Sequence, residues 1–203
     1  MFYERLLSLK IMKKIYIILI FTFFPEISFC MHPLTADDAP TVSFENYEVE
    51  TYIEGTNFVF SFKQGITNKS ELGIELQRLD NVFESAINFK FNIFKNFSIS
   101  FYNNFEDAIF FNLIFTKNFS NLSFHLNFGN KFEIDRSLVT YSFGLESMYK
   151  KIGFVGEIVK EKDYCWLLGT RYMLFDNFCL SCGYRNNFYF SDESLTFGLN
   201  YTF

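Results

Sequence analysis

Proline vanishes from this chain early. Its three prolines stand at positions 25, 33 and 40, and residues 41–203 contain none. Such a stretch suits strands whose backbone N–H groups are all engaged in ladders, because proline brings no donor. No stretch after residue 41 shows a convincing 3.6-residue period, so helical domains are not expected. The apolar run at 15–24 is too short to cross a membrane as a helix, which needs about 20 residues. Basic residues are also scarce. The formal net charge is −5, which gives nucleic-acid binding no support. Only two histidines occur, His32 and His125, and the four cysteines show no metal-ligand spacing. Neither a phosphate-binding glycine loop nor a nucleophile motif is present. The sequence therefore predicts no catalytic residues, no cofactor and no metal. The one residue pattern with any catalytic flavour is His125 with Ser123 and Asn127 two positions away, and it reads as a hydrogen-bonded polar cluster.

Aromatic residues are abundant: 31 Phe and 12 Tyr. A surface facing hydrocarbon would explain them, and a low-GC coding bias would also raise Phe and Asn. The N terminus reads as an export signal over 1–30, with Met12-Lys13-Lys14 opening the apolar run and Ser28 and Cys30 placed for cleavage before Met31. Met12 is the expected start. Cys30 leaves a lipoprotein alternative, which the bulky Phe29 beside it disfavours. Removing residues 1–30 takes away Arg5, Lys10, Lys13 and Lys14 along with Glu4 and Glu26, leaving 14 basic against 21 acidic residues, a net of −7. Residues 31–44 form an expected periplasmic leader, and 45–203 an expected single all-β domain.

The last ten residues carry the plainest pattern. Leu195, Phe197, Leu199, Tyr201 and Phe203 alternate with Ser194, Thr196, Gly198, Asn200 and Thr202. That is one strand with an apolar and a polar face, long enough to cross a bilayer when tilted, which takes about 9–11 residues. An ending of this kind, with Leu199, Tyr201 and a terminal Phe203, resembles the C-terminal signal of bacterial outer-membrane β-barrels, which the insertion machinery reads. The pattern repeats upstream. Leu122, Phe124, Leu126 and Phe128 alternate with Asn121, Ser123, His125 and Asn127, and Ile87, Phe89, Phe91 and Ile93 alternate with Asn88, Lys90 and Asn92.

Twelve strands are predicted, at 45–54, 57–64, 71–79, 83–94, 97–103, 108–117, 121–129, 138–149, 152–160, 164–173, 178–185 and 194–203, with ten as the nearest alternative count. An even number places both termini on one side. The turns on that side fall at 65–70, 95–96, 117–120, 150–151 and 175–177, and the longest connections, 130–137 and 186–193, fall on the other. Three of the turns share an Asn-aromatic pattern: Lys95-Asn96-Phe97, Lys117-Asn118-Phe119 and Asp176-Asn177-Phe178. A turn at 174–176 sets a register in which Trp166 faces Tyr184, Leu168 faces Cys182, Tyr172 faces Phe178 and Arg171 meets Cys179. Cys165 then faces neither Cys179 nor Cys182, so three free thiols are expected.

The segment Pro33-Leu34-Thr35-Ala36-Asp37-Asp38-Ala39, the strand Tyr47-Glu48-Val49-Glu50-Thr51 and the turn-strand Gly65 to Glu75 resemble the family of outer-membrane transporters named for the meta-cleavage pathway of phenol degradation. The resemblance covers about 33–76. It implies a transmembrane antiparallel barrel with a transport role, on a chain shorter than is usual for the family.

If the apolar rows face lipid, the interior receives Glu48, Glu50, Lys63, Glu71, Glu75, Lys90, His125, Glu146, Glu157, Arg171 and Arg185, with Asn88, Asn92, Asn112 and Asn127. Such a wall would select solutes by charge and hydrogen bonding. The same residues would equally serve as a salt-bridged filling of a narrow barrel. The expected function is a small channel or transporter-like protein of the outer membrane of a Gram-negative cell. The expected partners are membrane lipid, the insertion machinery and a small solute, and not nucleic acid. A non-conducting surface barrel and a secreted β-sandwich with its phenylalanines packed inward are the alternatives.

Overall fold

A computed structural model describes residues 37–79, 82–105, 108–133, 135–160, 162–189 and 193–203. The expected export signal, His32 and Cys30 lie outside them. Among the described residues there are twelve strands: β1 (Tyr47–Glu54), β2 (Asn57–Thr67), β3 (Ser70–Leu79), β4 (Val82–Phe94), β5 (Phe97–Asn103), β6 (Ala108–Phe119), β7 (Leu122–Glu133), β8 (Ser137–Tyr149), β9 (Ile152–Lys160), β10 (Tyr164–Phe175), β11 (Phe178–Asn187) and β12 (Ser194–Thr202). Each pairs antiparallel with its chain neighbours, and β1 pairs with β12, so the sheet closes into a barrel. Closure leaves no strand edge unpaired.

Alternation decides which way each residue points. The apolar rows turn outward: Ile74, Phe83, Phe128, Leu168 and Phe197 are all at least half exposed. Their neighbours in sequence turn inward and are buried, among them Glu71, Lys90, His125, Glu146 and Thr196. A soluble sandwich would hide the first set and expose the second. This molecule does the reverse.

Several strands run longer than their sequence pattern. β2 reaches Thr67 and β6 reaches Phe119, which shrinks the turns expected at 65–70 and 117–120 to Asn68-Lys69 and Ser120-Asn121. Lys117-Asn118-Phe119 is therefore strand, not turn. Every connection on the side of the termini has two residues; two of them use a left-handed residue, Ser120 (φ 49°) or Lys150 (φ 56°), and the other three have a register shift beside the turn. On the other side β7 and β8 extend into the expected loop 130–137, leaving 134–136 between them, while 188–193 remains the longest connection.

The β10–β11 register differs from the expected one by two residues. Trp166 pairs with Asn186, Leu168 with Tyr184, Tyr172 with Leu180 and Arg171 with Ser181. A bulge between Met173 and Phe175 lets the chain turn at Asp176-Asn177, later than the pattern implied. A slip of two leaves every side chain on its own face, so Trp166 and Tyr184 still meet, as diagonal neighbours 5.5 Å apart. Cys165 pairs with Asn187, and Cys165, Cys179 and Cys182 are free thiols.

The seam where first and last strands meet is lined outside by aromatic rings. Tyr47 stacks on Phe62 (5.7 Å) and on Phe203 (5.5 Å), and Phe203 stacks on Tyr201 (5.6 Å). Tyr201 is thereby buried although it lies on the outer face, while Leu199 pairs with Thr51 across the seam. The Phe203 backbone exchanges both hydrogen bonds with Tyr47, at 2.7 and 2.9 Å.

Candidate functional site: the barrel interior

The inner wall carries two charged clusters with an apolar patch between them. On β1–β4, Lys63 Nζ lies 2.8 Å from Glu48 and 3.5 Å from Glu50, and Lys90 Nζ lies 3.3 Å from Glu71. On β7, β8 and β10, Arg171 donates to Glu146 at 2.6 Å, and His125 Nε2 stands 3.8 Å from the same carboxylate. Glu157 is buried on the inner face of β9, and Arg185 lies 3.3 Å from Glu54 near the mouth away from the termini. Between these groups run Ile114, Val155, Val159 and Leu167, also inward and buried. Sequence alternation did not reveal this apolar sector, because in Ile152–Lys160 both faces carry aliphatic residues and only the barrel's phase distinguishes them.

A second unforeseen feature is the leader. Residues 37–44 do not hang free of the barrel; they cross its interior at the mouth that carries the termini. Phe44 forms a parallel bridge with Gly65 of β2. Val42 N–H donates to Glu71 of β3 at 2.6 Å. The carbonyl of Ala39 accepts from Asn92 Nδ2 of β4 at 3.0 Å and from Ser98 of β5, while its N–H donates to Thr116 of β6 at 2.9 Å. With its amide oriented to satisfy both groups, Asn127 of β7 donates to the Asp37 carbonyl at 3.0 Å. The strap thus reaches from β2 to β7, which lies on the far side of a twelve-strand ring from β1.

Charge holds the strap as well. Lys90 Nζ is shared among Asp37 (3.2 Å), Asp38 (3.5 Å) and Glu71, and it is almost wholly buried. Thr116 Oγ1 also lies 3.1 Å from His125 Nδ1, linking the strap to the Glu146–Arg171 pair. Ala39 has no exposed surface at all. Gly65 is required where the strap enters, since a Cβ there would stand 2.0 Å from the Ser43 carbonyl oxygen.

Towards the opposite mouth the interior opens into a cavity of about 560 Å³. Glu75, Glu84 and Tyr102 line one side, and Lys131, Glu133 and Arg136 the other. Glu75 accepts from Tyr102 at 3.1 Å and from Gln77. Glu133 holds Lys131 at 3.0 Å and Arg136 beside it.

The charged residues named from the sequence for the interior fall into separate groups. Glu48, Glu50, Lys63, Glu71 and Lys90 gather near the strap, His125, Glu146 and Arg171 form a second cluster, and Glu75 and Arg185 sit apart, nearer the open mouth. Asp37, Asp38, Ala39, Ser98 and Thr116 were not foreseen as a unit. The only hint was that two acids adjoin an otherwise small, uncharged stretch.

No family model matches the chain, and no curated protein matches it. Among solved structures it is similar to the KdgM porin in complex with disordered oligogalacturonate, at 17% identity over 78% of this chain and 99% of that one, with a TM-score of 0.59. It is also similar to the NanC porin (6% identity, 76% and 97% coverage, TM-score 0.53) and to the outer membrane protein Omp33 of Acinetobacter baumannii (10%, 79% and 97%, TM-score 0.51). The shared property is the fold: these structural neighbours are outer-membrane β-barrels.

Proposed function

We propose that the chain is an outer-membrane barrel, with its termini on the periplasmic side, that passes small solutes and favours cations. The observation that carries this reading is a closed wall, apolar outside and ionised inside. In hydrocarbon every backbone polar group must be paired within the barrel, and the ladder from β1 around to β12 provides that. Inside, Asn88 Oδ1, Asn112 Oδ1 and Ser181 Oγ are buried without a protein partner, a lining suited to water. Acids outnumber bases on this wall, which favours cations. The lipid around the phenylalanine belt and the insertion machinery, meeting Leu199, Tyr201 and Phe203, are the partners this reading requires. No catalytic step enters it. The likeness of residues 33–76 to the transporters named for phenol meta-cleavage makes small aromatic solutes the first uptake substrates to test.

Purified protein in a planar bilayer tests the reading. Small conducting events with a cation preference are expected, and Glu75→Gln with Glu84→Gln, both on the open cavity, should reduce that preference severalfold. Folded protein that leaves the bilayer silent under all conditions would refute it. One observation favours the alternative of a structural, non-conducting barrel: the strap and its ion pairs fill the interior at the periplasmic end.

A further inference from the structure

We propose that residues 37–44 are a gate. Seated against β4–β7 the strap shuts the periplasmic mouth; released, it leaves the mouth open; and acid favours the seated form. The inference rests on the channel reading and adds its regulation.

The geometry gives three reasons. First, the strap is not part of the barrel ladder. Beyond its bridge at Gly65 it is held by side chains, namely Glu71, Lys90, Asn92, Ser98, Thr116 and Asn127. None of the twelve strand pairings that close the barrel includes those contacts. Second, its path from β2 to β7 spans the lumen, so its position decides whether the mouth is obstructed. Third, its seat is overloaded with negative charge. Asp37, Asp38, Glu48, Glu50 and Glu71, five acids, form ion pairs with two lysines, Lys63 and Lys90. Seating adds two carboxylates to a wall that already carries an acid excess, and protonating one of them relieves the cost.

The group placed to take that proton is Asp38. Its carboxyl is pushed up to about 6, first by burial; Lys90 opposes the rise, Asp37 and Glu71 add to it, and His125 opposes it. Those are the charged neighbours from β4, the strap itself, β3 and β7. A carboxyl with a raised value in the seated form stabilises that form most below about pH 4. The stabilisation falls as pH rises through about 6 and is constant beyond. Two pH units correspond to at most about a hundredfold change in the seating equilibrium.

The test uses the full mature chain with Cys165, Cys179 and Cys182 changed to Ser. An Ala39→Cys, Thr116→Cys pair should lock the strap when oxidised: conductance should vanish at every pH and return on reduction. Without the lock, open probability should be higher at pH 7.5 than at pH 4.5. Asp38→Asn, which fixes the neutral form, should stay shut at both, and Gly65→Ala, whose Cβ collides with Ser43, should open the mouth. Labelling of Ala39→Cys by a water-soluble maleimide reads strap release without any conductance. Compared with Asp38→Asn at the same pH, labelling at pH 7.5 should be about tenfold to a hundredfold faster. Equal conductance in locked and reduced barrels would overturn the gate, and equal labelling with and without Asp38 would overturn its acid dependence. If no variant conducts, Gly65→Ala included, the channel reading fails, while labelling still decides whether the strap moves.

Discussion

The two ends of the lumen are built on opposite terms. At the end that carries the termini, Glu71, Lys90, Ser98, Thr116 and His125 are all buried, and each is spoken for by the strap or by a neighbouring strand. At the other end, Lys131 and Arg136 keep side-chain exposures of 42% and 65% around an open cavity. The same residue types occur at both. What differs is desolvation. A charge taken from water must be matched closely or it destabilises the fold, whereas an exposed pair contributes little either way. The strapped end therefore depends on its ion pairs staying matched, and the open end keeps its paired charges in contact with solvent.

That contrast can be tested by removing one charge from each end. Lys90→Met leaves Asp37, Asp38 and Glu71 without their shared ammonium and should cost about 3–5 kcal/mol, read as a lower urea midpoint for the barrel in lipid vesicles. Next in size is Leu167→Ala, which opens a hole in the apolar sector at a residue only 1% exposed and should cost about 2–4 kcal/mol on the same assay. Phe203→Ala removes two ring stacks at the seam and should cost about 1–3 kcal/mol, visible as a lower temperature at which the heat-modifiable gel band disappears. Smallest of all, Lys131→Met at the open end should leave the urea midpoint where it was. A shift there as large as that of Lys90→Met would erase the distinction between the two ends.

The outward and inward rows were legible in the sequence because hydrocarbon and water impose a two-residue period on strands such as Leu122–Glu133. Strand count followed from the same signal, but closure did not: a sandwich shares the alternation, and the barrel was what the C-terminal pattern and the family resemblance implied. Turn positions were less legible, since Lys117-Asn118-Phe119 carries turn chemistry yet continues β6, where pairing with Leu122 and Ser123 outweighs local preference. The β10–β11 register slipped by two because no face changes when it does, so the pattern has nothing to penalise. Glu48, Lys63, Glu146 and Arg171 could be placed inside one by one, but their pairing was not read: Glu48 and Lys63 face each other across the β1–β2 hairpin, while Arg171 reaches Glu146 from two strands away. The strap was illegible for a deeper reason. Its contacts with Asn92, Ser98 and Thr116 span 53 to 77 positions and follow no period.

The seam has a consequence for how the molecule comes into being. Because β1 finds its second neighbour only in β12, its partner for residues 48–54 is the last strand to be made. Until that strand arrives, Tyr47 lacks both its bonds to Phe203 and the ring stacked upon it. The pairings among β4 to β7, the wall that grips the leader, involve neither β1 nor β12. The leader's seat on β2 to β7 and the closing seam between β1 and β12 thus share no strand, so the grip on the leader does not require the closing pair.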